Sequence, residues 1–456
     1  MTSPPRVPPQ PTGLITEASP RQFFDALPEA VDVVIIGAGV IGVCTAFFLA
    51  EQGVKVLICE KGQVAGEQSS RNWGWVRQQG RDADELPIMM ESLRIWRGLA
   101  ERTGEDLGFT RAGVLYLAEN EAKMADYAQW LEIAKQHQLD TRLLGRAEVE
   151  ALVQCRPGQW LGGLFTASDG RAEPWQAVPG LARAAHRLGV KIIENCAVRA
   201  LDVAGGQVAG VITEHGRVRA ERVVLAGGAW SSLFARSLGL ELPQLSVRAT
   251  VVRTGAAPLV FNGNAADGKL AFRRRQDGGY TLALSDYHEH YIGPQTLRFA
   301  RLFWPSLRAS WRHLRVRFAA PAGLPGAWRT SIGSADQVSP FETLRVLNPD
   351  PAPGVAARIK ARLGERLPAL RGVEITDAWA GMIDTMPDAV PVIDAAPRPS
   401  GLFIGTGFSG HGFGIGPGAG RVLAALVQGR PPGHRLQRFR FARFADGSVI
   451  RVGPSL

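Results

Sequence analysis

Apolar and polar positions between residues 31 and 62 follow the pattern of a β-α-β unit. Val33–Ile36 is a β-branched apolar run, which is typical of a strand buried on both faces. A glycine-rich turn comes next, followed by an apolar helical stretch and by a second apolar run that ends at Glu60. The pattern therefore predicts two parallel strands joined by a buried helix.

Later segments repeat this pattern or depart from it. A helix at 181–189 and strands at 190–194 and 223–226 extend the predicted parallel sheet. Residues 111–119 instead alternate as a half-buried strand, and 121–138 has the apolar spacing of a helix. We therefore predict an α/β, two-domain fold, with a Rossmann-like nucleotide-binding domain and a discontinuous, mainly antiparallel β-sheet domain.

Glycines in the first turn indicate a dinucleotide site. Gly37 opens the tight turn, Gly39 lets the backbone approach a pyrophosphate, and Gly42 lets the helix pack against the strand. The helix N-terminus then faces the phosphates. Glu60, 23 residues after Gly37, is expected to accept hydrogen bonds from the adenosine ribose.

A second glycine-rich segment predicts the ring-binding part of that site. Residues 401–420 contain nine glycines in twenty positions and follow a short apolar strand. Gly416, Pro417 and Gly418 are expected to begin a helix that continues through 421–427. Such a helix points its positive end at the N1 and C2 carbonyl edge of an isoalloxazine, so the dinucleotide is predicted to be a flavin.

Four sequence blocks carry a family resemblance: 60–62 (EKG), 65–71 (AGEQSSR), 226–231 (AGGAWS) and 338–342 (VSPFE). In combination they resemble the FAD-dependent amino-acid and amine oxidoreductases of the D-amino-acid oxidase superfamily, which includes glycine oxidase and sarcosine oxidase. The most similar members are bacterial membrane-associated L-amino acid deaminases. The resemblance extends from about residue 30 to 430 and implies FAD as the cofactor.

On that basis the chain divides into three parts. The boundaries are 1–30 for a disordered or extended N-terminal arm, 31–110, 145–245 and 371–456 for the FAD-binding domain, and 111–144 and 246–370 for the substrate-binding domain.

Cofactor contacts are expected from the glycine loops and from the 69–79 stretch, where serines and an arginine fork can donate to pyrophosphate oxygens. The predicted cofactor-binding residues are Gly37, Gly39, Val40, Ile41, Glu60, Lys61, Ser69, Ser70, Arg71, Trp73, Gly74, Val198, Gly227, Gly228, Trp230, Gly381, Gly407, Gly410, His411, Gly412, Phe413 and Gly414. Gly381 stands where the resembling sarcosine oxidases carry a cysteine attached to the flavin, so non-covalent FAD is expected. Their lysine after the Gly-Phe-Ser-Gly-His-Gly-Phe motif is replaced by Gly414, which leaves reactivity with oxygen open.

The substrate carboxylate is expected at Arg273, which lies in a predicted hairpin between Leu270–Arg274 and Tyr280–Leu284. The resembling deaminases hold the amino-acid carboxylate with an arginine at this position, and a guanidinium can do so in bidentate fashion. The full set of predicted catalytic-site residues is Arg273, Arg77, Gln78, Trp75, Phe408 and His411. For His411 a structural role is favoured over that of a general base.

These parts predict oxidative deamination. A flavin takes a hydride from Cα of an amino acid, and the imino acid hydrolyses to a 2-oxo acid and ammonia. An L-amino acid is favoured as the small-molecule substrate, with O2 or a quinone-type compound as electron acceptor. Two alternatives stay open: a dehydrogenase for D-amino acids, opines or N-methyl amines, and a non-catalytic flavin-binding protein.

Charge and composition limit the kinds of binding partner that we expect. The net charge is +10, from 52 Lys and Arg against 42 Asp and Glu, but no nucleic-acid-binding signature accompanies it, so no nucleic acid is expected. The four cysteines have no metal-ligand spacing, and no metal is expected. Because no apolar run reaches about 18 residues and no signal peptide is evident, a cytoplasmic location is predicted. The oligomeric state is open, with a homodimer as one alternative.

Residues 298–318 interleave six arginines with five aromatic side chains. A basic, aromatic segment of this kind can lie on anionic lipid. The resembling deaminases carry a membrane-contacting insertion in this region, together with an N-terminal transmembrane helix that this chain lacks. Peripheral membrane contact is therefore disfavoured against a lid or a subunit interface.

Overall fold

The computed structural model describes residues 13–328 and 330–453. The strands are β1 (Val33–Ile36), β2 (Val56–Glu60), β3 (Trp75–Val76), β4 (Thr110–Arg111), β5 (Val114–Ala118), β6 (Thr141–Gly145), β7 (Gly162–Thr166), β8 (Gly170–Arg171), β9 (Lys191–Glu194), β10 (Val198–Ala204), β11 (Gln207–Thr213), β12 (Gly216–Arg219), β13 (Arg222–Leu225), β14 (Leu245–Thr254), β15 (Asn264–Ala266), β16 (Leu270–Arg274), β17 (Tyr280–Leu284), β18 (His288–Tyr291), β19 (Leu314–Arg317), β20 (Ile375–Thr385), β21 (Val392–Ala395) and β22 (Leu402–Thr406).

The α-helices are α1 (Val40–Ala50), α2 (Gln68–Arg71), α3 (Leu86–Thr103), α4 (Glu121–Gln136), α5 (Arg146–Leu152), α6 (Pro174–Arg187), α7 (Ser231–Ser237), α8 (Pro294–Arg298), α9 (Ala300–Ser310), α10 (Pro340–Thr343), α11 (Val355–Arg366) and α12 (Gly412–Val427). Short 3-10 turns occur at Gly228–Trp230, Pro368–Leu370, Gln437–Phe439 and Phe441–Phe444.

The first domain is built on a six-stranded sheet in the order β21-β22-β13-β1-β2-β9. Its pairs are parallel except β21 with β22, so the predicted β-α-β unit and its Rossmann-like sheet are confirmed. Helix α1 packs against α12, and both helices are buried over most of their length. The close packing depends on glycine, because a Cβ at Gly420 would lie 2.5 Å from Cβ of Cys44.

Helix α12 begins earlier than predicted. It starts at Gly412, so Pro417 lies inside the helix and not at its first turn. Ser92 of α3 compensates, since its hydroxyl donates to the Gly414 carbonyl at 2.7 Å and accepts from the Gly418 amide at 3.1 Å. Nε1 of Trp96 donates to the same carbonyl at 2.9 Å. The side chains of another helix therefore replace the backbone hydrogen bond that a proline would disturb.

The second domain contains a ten-stranded sheet in the order β19-β18-β14-β17-β16-β15-β5-β7-β6, with β20 paired to β14. Most of its pairs are antiparallel, and β15 with β5 and β18 with β19 are parallel. The hairpin predicted from Leu270–Arg274 and Tyr280–Leu284 is confirmed as β16 and β17.

Two predicted domain boundaries are wrong. Strand β7 was assigned to the FAD-binding domain, but it pairs with β5 and β6 in the second sheet. Strand β20 was assigned there too, but it pairs antiparallel with β14 from Leu245↔Thr385 to Thr254↔Ile375. Both strands belong to the second domain because their hydrogen-bonding partners are in its sheet.

The described part of the N-terminal arm is ordered against the first domain. Ile15 and Phe23 are buried, and the amides of Gln22 and Phe23 donate to the buried carboxylate of Glu194. Phe24 forms an antiparallel bridge with Ile193. The alternative of a disordered arm is therefore wrong for residues 13–30, and residues 1–12 lie outside the described part of the chain.

The 298–318 segment forms the end of α8, all of α9 and β19. Trp304, Trp311 and Phe318 are exposed, at 62%, 61% and 89%. Among the described residues no helix combines the length and apolarity needed to cross a bilayer.

Candidate functional site

One cavity of about 850 Å3 lies between the two sheets. The first domain contributes the turn after β1, the end of β2, the end of β13 and the loop that precedes α12. The second domain contributes Ala249 and Val251 of β14 and Gly381 of β20, whose strands pair so that Ala249 lies opposite Gly381. The two glycine loops identified in the sequence therefore line the same cavity, although almost 370 residues separate them.

The turn after β1 requires glycine. Gly37 has a φ of +104°, and a Cβ there would lie 2.6 Å from the Ala226 carbonyl oxygen. Gly39 faces the cavity, with Ser69 Oγ as the nearest side-chain atom to its missing Cβ, at 3.2 Å. This backbone leaves room for a ligand at the start of α1, where the helix dipole favours an anion.

Glu60 is held at the end of β2 by backbone donors. Its carboxylate accepts from the Ala38 amide at 2.7 Å and from the Gly62 amide at 2.8 Å. Burial raises the pKa of Glu60 to about 7, while Lys61 and the two amides act in the opposite direction. The carboxylate is thus fixed at the cavity wall and keeps acceptor capacity for a further donor.

Ser69 and Arg71, which the sequence predicts as cofactor ligands, form hydrogen bonds to other protein groups. Ser69 Oγ accepts from the Val40 amide at 2.9 Å. The Arg71 guanidinium donates to the carbonyls of Gly66, Glu67 and Ile15 and to the Asn348 side chain. Arg71 therefore links three segments at the cavity wall, and the guanidinium predicted to bind pyrophosphate oxygens already donates to protein acceptors.

Lys61 and Trp230 form a second fixed corner. Lys61 Nζ donates to Glu67 at 2.6 Å and to the carbonyls of Leu344 and Arg345, and it lies 4.5 Å above the Trp230 ring. Glu67, which was not predicted, also accepts from Trp230 Nε1 at 3.1 Å. This carboxylate organises the corner because it binds both side chains.

Most of the predicted cofactor residues are brought together. The cavity is lined by Gly37, Gly39, Val40, Ile41, Glu60, Lys61, Ser69, Arg71, Trp73, Val198, Gly227, Gly228, Trp230, Gly381, Gly410, His411, Gly412 and Phe413. Ser70, Gly74, Gly407 and Gly414 do not line it. At least one of them supports a nearby loop through its backbone, since the Gly407 amide donates to the buried carboxylate of Asp384 at 2.9 Å.

Arg77 lies in the cavity wall among aromatic rings. Its Cζ is 5.8 Å from the centroid of Tyr116, and Trp75 packs between Tyr116 at 6.3 Å and Trp73 at 5.7 Å. Phe408 also lines the cavity. This part of the wall combines a cation with apolar faces, as a site for a small organic anion requires.

Gln78 is placed differently from the prediction. It is buried outside the cavity lining, and its amide side chain donates to Asp169 at 3.2 Å and to Ser168 at 3.1 Å. Both residues follow the end of β3, and the backbone amide of Gln78 also donates to Asp169, at 2.8 Å, which holds this residue away from the cavity.

The expectation for Arg273 needs correction. It is fully buried, does not line the cavity, and forms a bidentate ion pair with Glu173, at 2.8 and 3.0 Å. Thr281 Oγ1 accepts a third hydrogen bond at 3.2 Å. Its charge is therefore already neutralised by the protein, and the structure gives it no path to a substrate carboxylate.

Other cavity residues were missed by sequence reasoning. They include Gln68, Arg81, Tyr116, Phe341, Ile383 and Asp384. Tyr116 carried a usable signal, because it lies on the alternating strand predicted at 111–119. Arg81 carried none, since an isolated arginine after a turn resembles any solvated one.

Ala309 and Ser310 of α9 also line the cavity, as does His313. This position is compatible with the lid alternative for the 298–318 segment. The four cysteines are unpaired, and in the described part of the chain no group of side chains has the arrangement of a metal site.

Comparison with known proteins identifies this arrangement. The sequence profile of the family described as FAD dependent oxidoreductase (DAO) matches residues 32–426. The chain belongs to this family. The match covers both glycine loops, so the predicted superfamily and its FAD cofactor are confirmed.

Solved structures of the family share the whole fold. An L-amino acid deaminase from Proteus myxofaciens, in complex with anthranilate, has a TM-score of 0.89 and 30% identity, covering 96% of this chain and 98% of that one. An L-amino acid deaminase from Proteus vulgaris has a TM-score of 0.87 and 27% identity, and the match covers 93% of this chain and 100% of that one.

Curated relatives include sarcosine-metabolising proteins. The sarcosine oxidase subunit beta of Rhodobacter capsulatus is 26% identical over 433 residues, or 92% of this chain and 91% of the relative. Human mitochondrial sarcosine dehydrogenase is 26% identical over 427 residues, but the chain spans only 42% of its length. Together with the family match, these similarities identify the chain as an FAD-dependent oxidoreductase.

Proposed function

We propose that the protein catalyses FAD-dependent oxidative deamination of an amino acid, with an L-amino acid favoured, giving a 2-oxo acid and ammonia. The observation that carries this proposal is Arg77, a cation in the wall of the same cavity that both glycine loops line. The 30% identity to the P. myxofaciens L-amino acid deaminase supports the choice of enantiomer.

FAD fits the residues that line the cavity. Gly37 and Gly39 open the start of α1, Glu60 keeps acceptor capacity, and the loop before α12 brings a second helix N-terminus to the cavity. Bound FAD supplies a two-electron acceptor for the hydride of the substrate Cα. Gly381, with no side chain to attach to the ring, supports non-covalent binding.

The chain's own residues would orient the amino acid. Arg77 Nη1 donates to the Gln79 carbonyl, and the other N–H groups of the guanidinium hold the carboxylate, because a guanidinium matches a carboxylate in geometry as well as charge. Trp75 and Tyr116 pack against the substrate side chain, and Val251 with Gly381 covers the cavity from the second sheet. This arrangement excludes water around the reacting carbon and fixes its orientation.

The test is anaerobic reduction of the bound FAD by a panel of L- and D-amino acids, followed by assay of the 2-oxo acid. With an amino acid that reduces the wild type, Arg77→Leu should lower kcat/KM by roughly 30-fold to several thousand-fold, which corresponds to about 2–5 kcal/mol for a charge that loses its partner. Arg77→Lys should recover only part of the loss.

Matched controls come from the other arginine and from the substrate. Arg273→Leu should keep its substrate preference in any folded fraction, because Arg273 pairs with Glu173 and not with ligand. An amine that lacks the carboxylate should react poorly with the wild type and be little affected by Arg77→Leu. Normal kinetics in Arg77→Leu would refute the anchor.

A second candidate is oxidation of N-methylated amines such as sarcosine. The 26% identity to the R. capsulatus sarcosine oxidase subunit beta favours it. Formaldehyde as the product, in place of ammonia, identifies this activity. Formation of peroxide indicates O2 as the electron acceptor, whereas reduction of a dye without peroxide indicates a quinone-type acceptor. If neither substrate class is turned over, the protein binds flavin without catalysis.

A further inference from the structure

Behind the ring-binding loop lies a cluster of ionisable side chains that the proposed function leaves unused. Arg81 and Glu85 are both 1% exposed, and the His411 imidazole lines the cavity beside them. Glu85 directly precedes α3, and His411 directly precedes α12. Two helix N-termini thus place a buried carboxylate next to a cavity histidine.

The cluster has a fixed backbone and unfilled hydrogen-bonding positions. Arg81 donates through Nη2 to the His411 carbonyl at 2.9 Å and through Nε to the Arg77 carbonyl at 3.1 Å. Arg81 Nη1 lies 3.7 Å from Glu85 Oε2, and His411 Nδ1 lies 3.9 Å from the same oxygen. Nδ1, Nη1 and Glu85 Oε1 are buried without a hydrogen-bond partner among the residues that the structure describes.

Separations of this size are too long for direct hydrogen bonds and suit a bridging water or a small approach of the two side chains. Because Nδ1 is turned toward Glu85, the imidazole leaves Nε2 for a ligand in the cavity. The arrangement is that of a histidine backed by a carboxylate, which can fix the tautomer and orientation of the imidazole.

We propose that His411 and Glu85 form a proton relay that takes a proton from the ammonium group of the substrate, with Arg81 holding the two residues in place. This inference rests on the proposed function, since only an amine substrate supplies that proton. One N–H bond of the ammonium breaks, the nitrogen keeps the electron pair, and His411 Nε2 gains the proton. His411 Nδ1 releases its own proton to the Glu85 carboxylate, so charge and atoms balance.

The charges around His411 favour passing the proton onward. Burial, followed by the nearby cations Arg81 and Arg77, lowers the pKa of His411 well below its usual value. The imidazole is therefore neutral at neutral pH and does not retain a second proton. A neutral ring with one N–H can accept at one nitrogen while it donates from the other.

The charges around Glu85 suit the final acceptor. Burial raises the pKa of Glu85 to about 7; Arg81 lowers it, Asp82 raises it, and Arg77 and Asp388 make smaller contributions in opposite directions. Asp388 is itself paired with arginines of the C-terminal segment. An acceptor with a pKa near the working pH gives efficient general base catalysis.

The first experiment measures the rate constant of FAD reduction by a reactive amino acid, in stopped flow without oxygen, against pH. Glu85 accepts a proton only when ionised, so the wild-type rate should rise as the pH rises through about 7. Glu85→Gln should slow reduction at pH 7 by about 10^2-fold and remove this inflection. His411→Asn should do the same, and FAD content should stay normal in Glu85→Gln.

Glu91→Gln is the matched control, because Glu91 lies in α3, the helix that Glu85 precedes, and pairs with His434 at 2.5 Å outside the cavity. Its pH profile should equal that of the wild type. A profile that keeps its inflection in Glu85→Gln overturns the relay. So does an equal loss of rate at every pH, which is the result expected of a purely structural residue.

A second readout does not depend on turnover. In holoenzyme with 15N-labelled histidine, the His411 ring signals, assigned by their loss in His411→Asn, should change with pH near 7 as Glu85 ionises, and Glu85→Gln should abolish that change. If this change is present but no amine substrate reduces the FAD, the proposed function is wrong, whereas the interaction between His411 and Glu85 is supported. If FAD is reduced but His411 does not respond to Glu85→Gln, the relay alone is wrong.

Discussion

Single residues in this cavity are defined by what already binds them. Glu60 and Arg273 were both predicted to meet a ligand, and both have strong partners within the protein. The Glu60 partners are two backbone amides, which orient the carboxylate but do not neutralise it. The Arg273 partner is the buried carboxylate of Glu173, which neutralises the charge of the guanidinium. The first residue therefore remains available to a cofactor, and the second does not.

Glu60→Ala should weaken FAD binding by about 1–3 kcal/mol, because it removes an acceptor and leaves buried donors unpaired. The dissociation constant of FAD for the apoprotein, followed by fluorescence quenching, should rise by roughly 5-fold to 150-fold while substrate preference is unchanged. Asp32→Ala is the control, since Asp32 also accepts a backbone amide, that of Lys55, but lies at the opposite end of the strands. Equal FAD affinity in Glu60→Ala and wild type would show that this carboxylate has no role in binding.

Arg273→Leu should lower the free energy of unfolding by about 3–5 kcal/mol, because it leaves the Glu173 carboxylate buried without its partner. The double variant Arg273→Leu, Glu173→Gln should recover part of that loss. Urea unfolding of the apoproteins measures both effects. If Arg273→Leu is as stable as the wild type but no longer turns over amino acids, the original assignment as carboxylate anchor regains support.

The difference between these two residues shows what a local sequence pattern can and cannot predict. The spacing between Gly37 and Glu60 is local, so one β-α-β unit determines where that acid lies. Alternation along β16 places Arg273 on one face of the strand, but it carries no information on Glu173, which is 100 residues away in the chain. Residue types indicate candidate chemistry, and long-range pairing decides which candidates face the cavity.

Among the elements, those with local determinants were predicted most accurately. The β16–β17 hairpin matches the prediction residue for residue, since its turn and both strands are contiguous. Helix α12 begins earlier than Gly-Pro-Gly suggested, because Ser92 of α3 supplies the hydrogen bonds around Pro417. Strand β20 was placed in the wrong domain because its partner, β14, lies more than a hundred residues before it.

Ser92→Ala tests how α3 supports α12. It should cost about 1–3 kcal/mol of unfolding free energy, because the Gly418 amide loses its acceptor and the Gly414 carbonyl loses one of two donors. Thermal unfolding of the apoprotein measures the loss. Thr103→Ala, which removes a buried hydroxyl that donates to the Leu99 carbonyl of the same helix, should cost less, since that carbonyl belongs to a helical turn. Equal losses would mean that the Ser92 bridge has no special importance.

At the scale of the whole molecule, the cavity is the junction of the two domains. Both glycine loops come from the first domain, whereas Ala249, Val251 and Gly381 come from the second. A ligand in the cavity therefore contacts both domains. The fold class and the dinucleotide site could be predicted from the sequence, but the lining from β14 could not, because nothing local to that strand marks it.

Binding of FAD without a covalent bond should stabilise this junction by mass action. Free FAD at about a hundredfold excess over its dissociation constant should add about 2.7 kcal/mol to the free energy of unfolding, so that Tm rises with FAD concentration. Acid precipitation should then release intact FAD into the supernatant and leave a colourless pellet, because Gly381 offers no thiol. AMP, which can occupy only the adenosine end, is the control and should raise Tm less, since it cannot reach the loop before α12. A yellow pellet, or a Tm that does not change with added FAD, would contradict non-covalent binding.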